Sequence, residues 1–229
     1  MKKSPHHKWD LSPREAIALQ KQLRQEIKLE TLAHVPRRIA GADVSSNRFS
    51  NTLYAGIIVL SFPGLEPVAQ STAKLEATMP YIPGLLSFRE IPALLKAWDG
   101  LELKPDLLIV DGQGIAHPRR LGIASHFGLL IDRPTIGCAK TILYGNSKEP
   151  GLMPGSRSKL KDRGNPDEII GELLRSKVRS NPLVISPGHR ITVDESVSIV
   201  QACLRGYRLP EPTRLAHKLV NGYRRSSNE

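Results

Sequence analysis

A short apolar run at residues 107–110 (Leu-Leu-Ile-Val) ends at Asp111, and a glycine-rich, basic stretch at 112–120 follows at once. A carboxylate in a buried strand is expected only at the exposed end of the strand, where α/β sheets bind ligands and metals. A second run, 39–42, leads into Asp43 in the same way. Taken singly, each aspartate would equally suit a turn after a strand, but together they predict a metal site at one edge of a sheet.

The chain carries a strong positive charge. Its 33 Lys and Arg residues outnumber 22 Asp and Glu residues, which gives a net charge of +11 and a pI near 9.9. This balance favours anionic partners, nucleic acid in particular, although ribosomal and membrane-surface proteins share it. Carboxylates without a compensating cation would repel phosphate, so the two observations together indicate metal-assisted chemistry on a polyanion.

Length and composition predict one domain, residues 1–229, since 229 residues with 40% hydrophobic content can bury one sizeable core. No stretch reaches the roughly 18 apolar residues that span a bilayer, and the basic start leads to polar residues rather than to a signal-peptide apolar region. Cys138 and Cys203 are too few and too far apart for a disulfide framework or a zinc site. We therefore expect a cytoplasmic protein that has no membrane contact and no obligate protein partner.

Apolar spacing predicts an α/β fold with helices on both faces of a mixed sheet. An N-terminal helix at about 12–33 precedes three strands at 37–44, 54–62 and 67–76, whose short connections predict an antiparallel meander. Helices and strands then alternate as parallel-sheet units do. Three antiparallel strands followed by parallel strands resemble the layout of ribonuclease H-like nucleases. The later elements are predicted as helices at about 88–98, 121–130, 167–177, 193–204 and 213–224 and strands at 106–110, 135–139 and 183–186.

One long segment, about 146–166, has no predicted helix or strand and is rich in basic residues, glycines, prolines and serines. We expect this basic loop to be mobile in the free protein and to order against phosphates. The alternative is a solvated insertion without a role. Its basic residues are Lys148, Arg157, Lys159, Lys161 and Arg163.

Three further side chains are candidates for the same chemistry. Glu90 follows Ser87 with the spacing of a capping box, but Pro92 favours a later helix start, which would leave Glu90 free to face a metal. His217 lies on the flank of the apolar stripe of its helix, where it is either solvated or a ligand, a phosphate contact or an acid. Lys140 follows a strand and is either solvated or placed to bring positive charge to a phosphoryl group.

Spacing argues against two other kinds of site. Residues 112–114 (Gly-Gln-Gly) lack the third glycine of a dinucleotide-binding turn, and no P-loop motif occurs. His117 and His126 do not have the spacing of zinc ligands, and Pro118 favours a turn at His117.

The segment from Pro80 to Gly84 holds Tyr81 and Ile82 between two prolines, Pro80 and Pro83. A stiff projection of this kind suits a wedge that inserts between stacked bases. The alternative is a proline-rich turn with Tyr81 packed in the core.

These motifs together resemble one family, the endonuclease V enzymes, over residues 36–224. The resemblance implies a magnesium-dependent DNA repair nuclease, with Mn²⁺ able to substitute, that acts on double- or single-stranded DNA containing deaminated bases. It implies recognition of hypoxanthine in deoxyinosine and hydrolysis of the second phosphodiester bond on the 3′ side by an activated water. The stretches that carry the resemblance are residues 40–45, 80–90, 111–119, 134–140 and 206–217.

The resemblance also implies a role for individual residues. Asp43, Glu90 and Asp111 match the metal-binding carboxylates, and Lys140 and His217 match supporting catalytic residues. The DNA wedge would comprise Pro80, Tyr81, Ile82 and Pro83. The lesion pocket would comprise Gly84, Leu86, Gly112, Gly122, Ile123 and Leu143.

The chain departs from the family pattern in two places. Residues 138–141 read Cys-Ala-Lys-Thr where family members often have Val-Ala-Lys-Lys, and the turn at 47–51 is longer and more polar than usual. Two other functions fit the same residues. One is a ribonuclease that acts on inosine-containing RNA, and the other is a non-catalytic nucleic-acid-binding protein.

Overall fold

Eight strands form one sheet in the computed structural model, which describes residues 7–48 and 50–227. Phe49, in the polar turn at 47–51, therefore lies outside the described residues. The strands are β1 (Arg38–Ser46), β2 (Thr52–Ser61), β3 (Pro67–Glu76), β4 (Leu107–Val110), β5 (Thr135–Ala139), β6 (Arg157–Lys161), β7 (Ile169–Leu174) and β8 (Leu183–His189). The α-helices are α1 (Pro13–Leu23), α2 (Leu86–Asp99), α3 (Ile123–Ile131), α4 (Val193–Ala202) and α5 (Glu211–Ser226).

The strands follow the order β3-β2-β1-β4-β5-β8-β7-β6 across the sheet. β1, β2 and β3 pair antiparallel, and β4 and β5 continue from β1 in parallel, which confirms the predicted first half of the sheet. The second half differs, because β8 is antiparallel to β5, and β7 and β6 continue the antiparallel pairing. Parallel neighbours need a longer crossover, usually a helix, and the connections between β6, β7 and β8 are short. These three strands therefore pair antiparallel.

The predicted helix at 167–177 is wrong, since this segment forms strand β7. Its apolar residues come in two adjacent pairs, at 169–170 and 173–174, a spacing that fits either a helix or a strand buried on both faces. Backbone pairing with β6 and β8 decides between them. Gly171 permits the close pairing, because a Cβ atom there would lie 2.3 Å from the carbonyl oxygen of Ile185 on β8.

Both faces of the central strands are buried, which explains the continuous apolar run in β4. Leu108 and Val110 pack on one face with side chains of α2 and α3. Leu107 and Ile109 pack on the opposite face with side chains of α4 and α5. The two pairs of helices therefore cover the sheet from both sides, as the sequence predicts.

The N-terminal helix is shorter than the predicted 12–33. Ser12 caps α1 through a capping box with Glu15, and the helix ends at Leu23, followed by one 3₁₀ turn at Arg24–Glu26. The amide of Lys28 then donates to Nδ1 of His189 at 3.3 Å, and its carbonyl accepts from the amide of residue 190 at 2.7 Å. These tertiary hydrogen bonds to the end of β8 hold the chain after residue 27 in a non-helical path.

Helix α2 begins at Leu86, before the predicted start, and contains Pro92 in its interior. Ser87 does not cap the helix; its hydroxyl lies 3.1 Å from Nδ1 of His126 instead. The helix tolerates the missing proline N–H because its inner face is deeply buried, with Phe88 and Ile91 both 0% exposed. The remaining predicted helices agree with the structure to within two residues at each end. Among the described residues, none of the helices is both long and apolar enough to cross a membrane.

The segment at 146–166 is not wholly irregular, because it contains strand β6 at the edge of the sheet. Residues 149–151 before this strand are hydrogen-bonded to the guanidinium group of Arg175. Mobility of this segment in the free protein stays a prediction.

Candidate active site

Asp43 and Asp111 lie side by side where strands β1 and β4 stop pairing. Ala42 is opposite Val110 in the parallel register, and the amide of Asp111 donates a hydrogen bond of 3.0 Å to the carbonyl oxygen of Ala42. The prediction that Asp43 ends its own strand is wrong, because β1 continues to Ser46 along its antiparallel partner β2. The two carboxylates still share one edge, since β4 ends beside Asp43.

Lys140 joins the aspartates from the next strand. It is the first residue after β5, which runs parallel to β4 with Val110 opposite Gly137. Its Nζ forms an ion pair with Oδ2 of Asp111. About two fifths of the lysine side chain, 41%, is exposed, so its charge is accessible to an anion from solvent.

His217 reaches the same point from helix α5. Its Nδ1 lies 2.8 Å from Oδ2 of Asp43, and 53% of the histidine side chain is exposed. The helix lies very close to β1, because a Cβ atom at Gly41 would lie 1.9 Å from the carbonyl oxygen of Pro212, near the start of α5. The glycine in β1 is therefore required to bring His217 to Asp43.

Asn221, one turn after His217 on α5, orients the histidine ring. Its Nδ2 lies 3.1 Å from Nε2 of His217, and its Oδ1 accepts hydrogen bonds from Ser45 and Arg224 at 3.1 Å each. Because the amide nitrogen can only donate, Nε2 is the acceptor and Nδ1 carries the proton that faces Asp43. The network thus favours one neutral tautomer of the histidine.

Asp43, Asp111 and His217 form a possible metal-binding group. Each offers one ligand atom, and these three atoms all lie within 4.8 Å of one another. The two carboxylates can bind a divalent cation, whereas both ring nitrogens of His217 are engaged by hydrogen bonds to Asp43 and Asn221. The structure therefore brings together two of the three predicted carboxylate ligands, and His217, which the resemblance places among the supporting residues, lies against them.

Glu90, the third predicted ligand, lies on α2 and is not a member of this group of three. Burial, followed by the negative charges of Asp43 and Asp111, raises the pKa of Glu90 to about 8. Burial and the charge of Asp111 likewise raise the pKa of Asp43 to about 6, against the lowering effect of its hydrogen bond to His217. Carboxylates that raise one another's pKa values are stabilised in the ionised form by a shared cation, so the residues fit a divalent metal.

A cavity of about 140 Å³ adjoins this site. Five of the six predicted lesion-pocket residues line it. Gly112, the sixth, packs behind the wall, since a Cβ atom at this position would lie 2.5 Å from Cγ2 of Ile123. The lining residues are Tyr81, Pro83, Gly84, Leu86, Ser87, Gln113, His117, Leu121, Gly122, Ile123 and Leu143.

Tyr81 stands between this cavity and a second, open groove. Its side chain is 66% exposed, so the alternative of a tyrosine packed in the core is wrong. The tyrosine and Leu86 line both spaces, and the open groove leads to Glu90. In the same segment, Pro80 and Pro83 are exposed, while the partly buried Ile82 packs against the core and anchors it.

The carbonyl oxygen of Gly84, in the cavity wall, is held by three side chains. It accepts hydrogen bonds from Gln20 at 3.0 Å, Arg119 at 2.7 Å and Nε2 of His117 at 3.1 Å. Burial, reinforced by the charge of Arg119, lowers the pKa of His117 to about 4, so the ring is neutral at pH 7. Gln20 is itself 0% exposed and also donates to the carbonyl of Leu121 at 3.3 Å. The wall is therefore braced from α1.

A family model for endonuclease V matches residues 21–218. The chain belongs to the endonuclease V family. Endonuclease V from Gloeobacter violaceus is 49% identical over 223 residues, which cover 96% of this chain and 89% of that protein. Family membership identifies the chain as a nuclease and argues against the non-catalytic alternative.

Solved endonuclease V structures share this architecture. The crystal structure of the protein from Streptomyces avermitilis has a TM-score of 0.89 at 37% identity and covers 96% of both chains. Endonuclease V from Ciona intestinalis was crystallised with a 24mer DNA containing an inosine followed by a ribo-adenosine. That structure has a TM-score of 0.78 at 25% identity over 93% of this chain and 98% of its own. The ribonuclease H-like fold of these endonuclease V structures confirms the predicted fold class.

Two residues of this endonuclease V site escape a reading of the sequence. Gln20 falls on the apolar stripe of α1, four residues after Ala16 and three before Leu23, and a polar residue in a buried stripe needs a partner. Asn221 lies four residues after His217, a spacing that brings side chains together on a helix. These signals indicate that both side chains have a hydrogen-bond partner, but they do not identify the distant residue that provides it.

Proposed function

We propose that this chain is a magnesium-dependent endodeoxyribonuclease that recognises deoxyinosine and hydrolyses the second phosphodiester bond on its 3′ side. The observation that carries the proposal is the meeting of Asp43, Asp111 and His217 within 4.8 Å beside a separate cavity. Cleavage displaced from the recognised base requires two adjacent sites of this kind, one for the base and one for the phosphate.

Asp43, Asp111 and Glu90 are the residues that would hold the ion, and Mn²⁺ is expected to substitute for Mg²⁺. Oxygen ligands suit both ions. When bound, magnesium supplies a lower pKa for water and stabilisation of negative charge on the phosphate. The like charges that raise the pKa values of Glu90 and Asp43 support a site built for a cation.

Lys140 and His217 would support the reaction without needing to hold the ion. The ammonium group of Lys140 is half-exposed beside Asp111, where it attracts the phosphate and stabilises the charge that develops on it. His217 carries a proton on Nδ1, directed to Asp43, and its ring is half-exposed. The hydrogen bond from this proton would hold the Asp43 carboxylate in place beside the phosphate.

The cavity between α2, α3 and the end of β4 would receive the flipped base. Gly84, Leu86, Gly122, Ile123 and Leu143 supply a mostly apolar lining, which favours a base that has left the stack. Tyr81, exposed at the mouth, would fill the gap in the duplex with its ring. The inosine-containing DNA bound by the Ciona relative supports this assignment.

Inosine in RNA is the second candidate substrate. The DNA bound by the Ciona relative contains an inosine followed by a ribo-adenosine, and the 2′-hydroxyl group of that nucleotide is the observation that favours RNA as a second candidate. The net charge of +11 suits either nucleic acid.

One experiment separates these proposals. Matched DNA and RNA strands, each with and without a single inosine, are incubated with the purified protein with Mg²⁺ or with a chelator, and the nick is mapped. The proposal predicts metal-dependent nicking of the inosine-containing DNA at the second bond on the 3′ side. Faster nicking of the inosine-containing RNA would assign the chain to the second candidate, and nicking independent of inosine would reject both.

A cytoplasmic location follows as a further part of the proposal. Cys138 and Cys203 are both buried as free thiols, which suits a reducing compartment. Fractionation of the cells that produce the protein would test the assignment.

A further inference from the structure

Two loops lie at the same edge of the sheet as the candidate active site. They are residues 147–156, which precede β6, and residues 175–182, which connect β7 to β8, and we call them the edge loops. Ala139, Val184, Leu173 and Ser158 pair in one row across β5, β8, β7 and β6. The residues just beyond this row, Lys140 directly after β5 and Arg157 on β6, therefore lie at one edge. Three strand spacings separate them, about 14 Å.

Arg208 connects the edge loops to the active site directly. Its guanidinium group donates to the carbonyl oxygen of Lys140 at 3.0 Å and to the carbonyl oxygen of Asn181 at 3.1 Å. Its own carbonyl accepts from the hydroxyl of Ser176 at 2.6 Å. The surface of the edge loops is thus continuous with the surface around Lys140.

The edge loops expose three large apolar side chains. Leu152 is 75% exposed, Met153 is 70% exposed and Val178 is 51% exposed. A single exposed apolar residue is ordinary, but adjacent ones on loops beside an active site point to a contact.

The loop that carries Leu152 and Met153 is held in place. Arg175, with 7% of its side chain exposed, donates to the carbonyls of Gly151 at 3.1 Å and Pro150 at 3.2 Å and pairs with Glu149 at 2.6 Å. Residues 153–156 then form a turn, with the amide of Ser156 donating to the carbonyl of Met153 at 3.1 Å.

The turn has Pro154 at its second position and Gly155, with φ 88°, at its third, which suits a type II turn. The amide of Gly155 also donates to the carbonyl of Arg175 at 2.8 Å. These hydrogen bonds give the apolar tip a defined turn, and a contact that is already formed has a lower entropic cost of binding.

The charges around this tip favour an anionic partner. The edge loops contain four basic residues and one carboxylate, and that carboxylate, Glu149, is paired with Arg175. Lys148, Lys177 and Arg179 are exposed and form no ion pair within the described part of the chain. Cations that surround an apolar tip match nucleic acid, whose phosphates surround apolar base and sugar faces.

The geometry points to a second nucleic-acid contact on the edge loops, which rests on the proposed function and deepens it. Lys148, Lys177 and Arg179 bind backbone phosphates, and Leu152 and Met153 press against sugars and bases in a groove. For a duplex that follows the sheet edge from Lys140 towards Arg157, 14 Å at about 3.4 Å per nucleotide corresponds to about four base pairs between the cleavage point and this contact. It holds one arm of the substrate beside the lesion.

The test compares Leu152→Ser/Met153→Ser with wild type on deoxyinosine duplexes. Three duplexes are compared. One has two long arms. In each of the other two, the arm on one side of the lesion is shortened to about two base pairs, which is less than the four-base-pair offset. Dissociation constants are measured in Ca²⁺ to prevent cleavage, and turnover is measured at saturating substrate in Mg²⁺. Val35→Ser is the matched control, since Val35 is 78% exposed and precedes β1 at the opposite edge.

The double variant should bind the long-armed duplex about tenfold more weakly, which corresponds to about 1.4 kcal/mol, with unchanged turnover at saturation. One of the two shortened duplexes should abolish this difference. Equal affinity of the variant and wild type for the long-armed duplex would overturn the proposal, and so would the same loss on all three duplexes.

Salt dependence tests the phosphate contacts separately. Lys177→Gln/Arg179→Gln should lower the slope of log affinity against log salt by about two, and Arg37→Gln/Arg133→Gln at the opposite edge should not. An unchanged slope would contradict the role of the edge loops. Because this measurement also works on undamaged duplex, it stays informative if the protein fails to prefer inosine, a result that would reject the proposed function alone.

Discussion

Nδ1 of His217 lies 2.8 Å from Oδ2 of Asp43, although 174 positions separate the two residues in the chain. The contact exists because helix α5 lies directly on strand β1 at Gly41, where no side chain intervenes. The candidate site therefore depends on docking of the C-terminal helix as much as on the sheet that carries the aspartates.

Gly41→Ala should separate α5 from β1 and so weaken the His217 contact. The added Cβ atom would lie 1.9 Å from the carbonyl oxygen of Pro212, and overpacking of this kind costs about 1–3 kcal/mol of unfolding free energy. A displacement near 1 Å at a catalytic group costs about 100-fold in rate. Nicking assays and denaturant unfolding measure the two effects.

Gly222→Ala on the same helix is the control for Gly41→Ala, because a Cβ atom at Gly222 has nothing within 4 Å. It should leave nicking unchanged and stabilise the helix by about 0.5–1 kcal/mol. Wild-type nicking by Gly41→Ala would show that close docking of α5 is unnecessary.

Affinity for Mg²⁺ should rise with pH between 6 and 9. Glu90, with a pKa of about 8, and Asp43, with a pKa of about 6, hold protons that a bound cation must displace. Calorimetry in buffers of different ionisation enthalpy would count the released protons. Glu90→Gln should bind Mg²⁺ more weakly and lose most of the pH dependence above pH 7, whereas pH-independent affinity of the wild type would contradict the raised pKa values.

Stability of the metal-free protein should change with pH in the opposite sense. The folded-state pKa of Glu90 lies above its ordinary value of 4.5, so the folded state binds more protons than the unfolded state between these values. The contribution of Glu90 to the free energy of unfolding therefore falls as pH rises from about 5 through 8. Thermal unfolding in a chelator and in Mg²⁺ should show that the ion restores stability most at high pH.

Gln20→Met should weaken recognition of inosine without changing metal affinity. Methionine fills a similar volume, but it removes the donors that hold the carbonyls of Gly84 and Leu121 in the cavity wall. We expect about tenfold weaker binding of a deoxyinosine duplex relative to undamaged duplex, which is about 1.4 kcal/mol. Gln22→Met, at an exposed position of the same helix, should retain full discrimination. Wild-type discrimination in both variants would show that α1 does not brace the pocket.

Tyr81→Ala should weaken lesion binding more than hydrolysis. The ring is 66% exposed at the mouth of the cavity, and loss of an aromatic stacking contact with a base costs about 1–3 kcal/mol. Tyr81→Phe keeps the ring and should bind as wild type does. If Tyr81→Ala bound inosine duplex and normal duplex with wild-type affinity, the wedge role would be wrong.

The sequence predicts the first half of the sheet because its signals are local. The apolar run before Asp111 and the hairpin turns between β1, β2 and β3 need no knowledge of distant residues. Strand β7 is different, since its paired apolar residues fit a helix equally well and only pairing with β6 and β8 decides. The local pattern predicts a strand end at Asp43, but backbone pairing with β2 extends β1 to Ser46.

The residues of the candidate site also fall into those that local signals predict and those that depend on tertiary packing. Asp43, Asp111 and Lys140 follow from apolar strands that lead to one shared edge, and the structure brings them together. The supports of the site, Gln20 and Asn221, act through bonds to residues far away in the chain. Such contacts depend on how α1 and α5 dock, and docking is a property of the assembled core rather than of any local pattern.

The central claim is that the carboxylates of Asp43 and Asp111, where β1 and β4 stop pairing, carry the nuclease chemistry. The most direct measurement is nicking of a deoxyinosine duplex in Mg²⁺ by the Asp43→Asn/Asp111→Asn double variant, with binding of the same duplex measured in parallel. We predict no detectable nicking and retained binding, because the cavity that would receive the base is separate from the carboxylates. Nicking by the purified double variant at a rate near that of the wild type would contradict the claim.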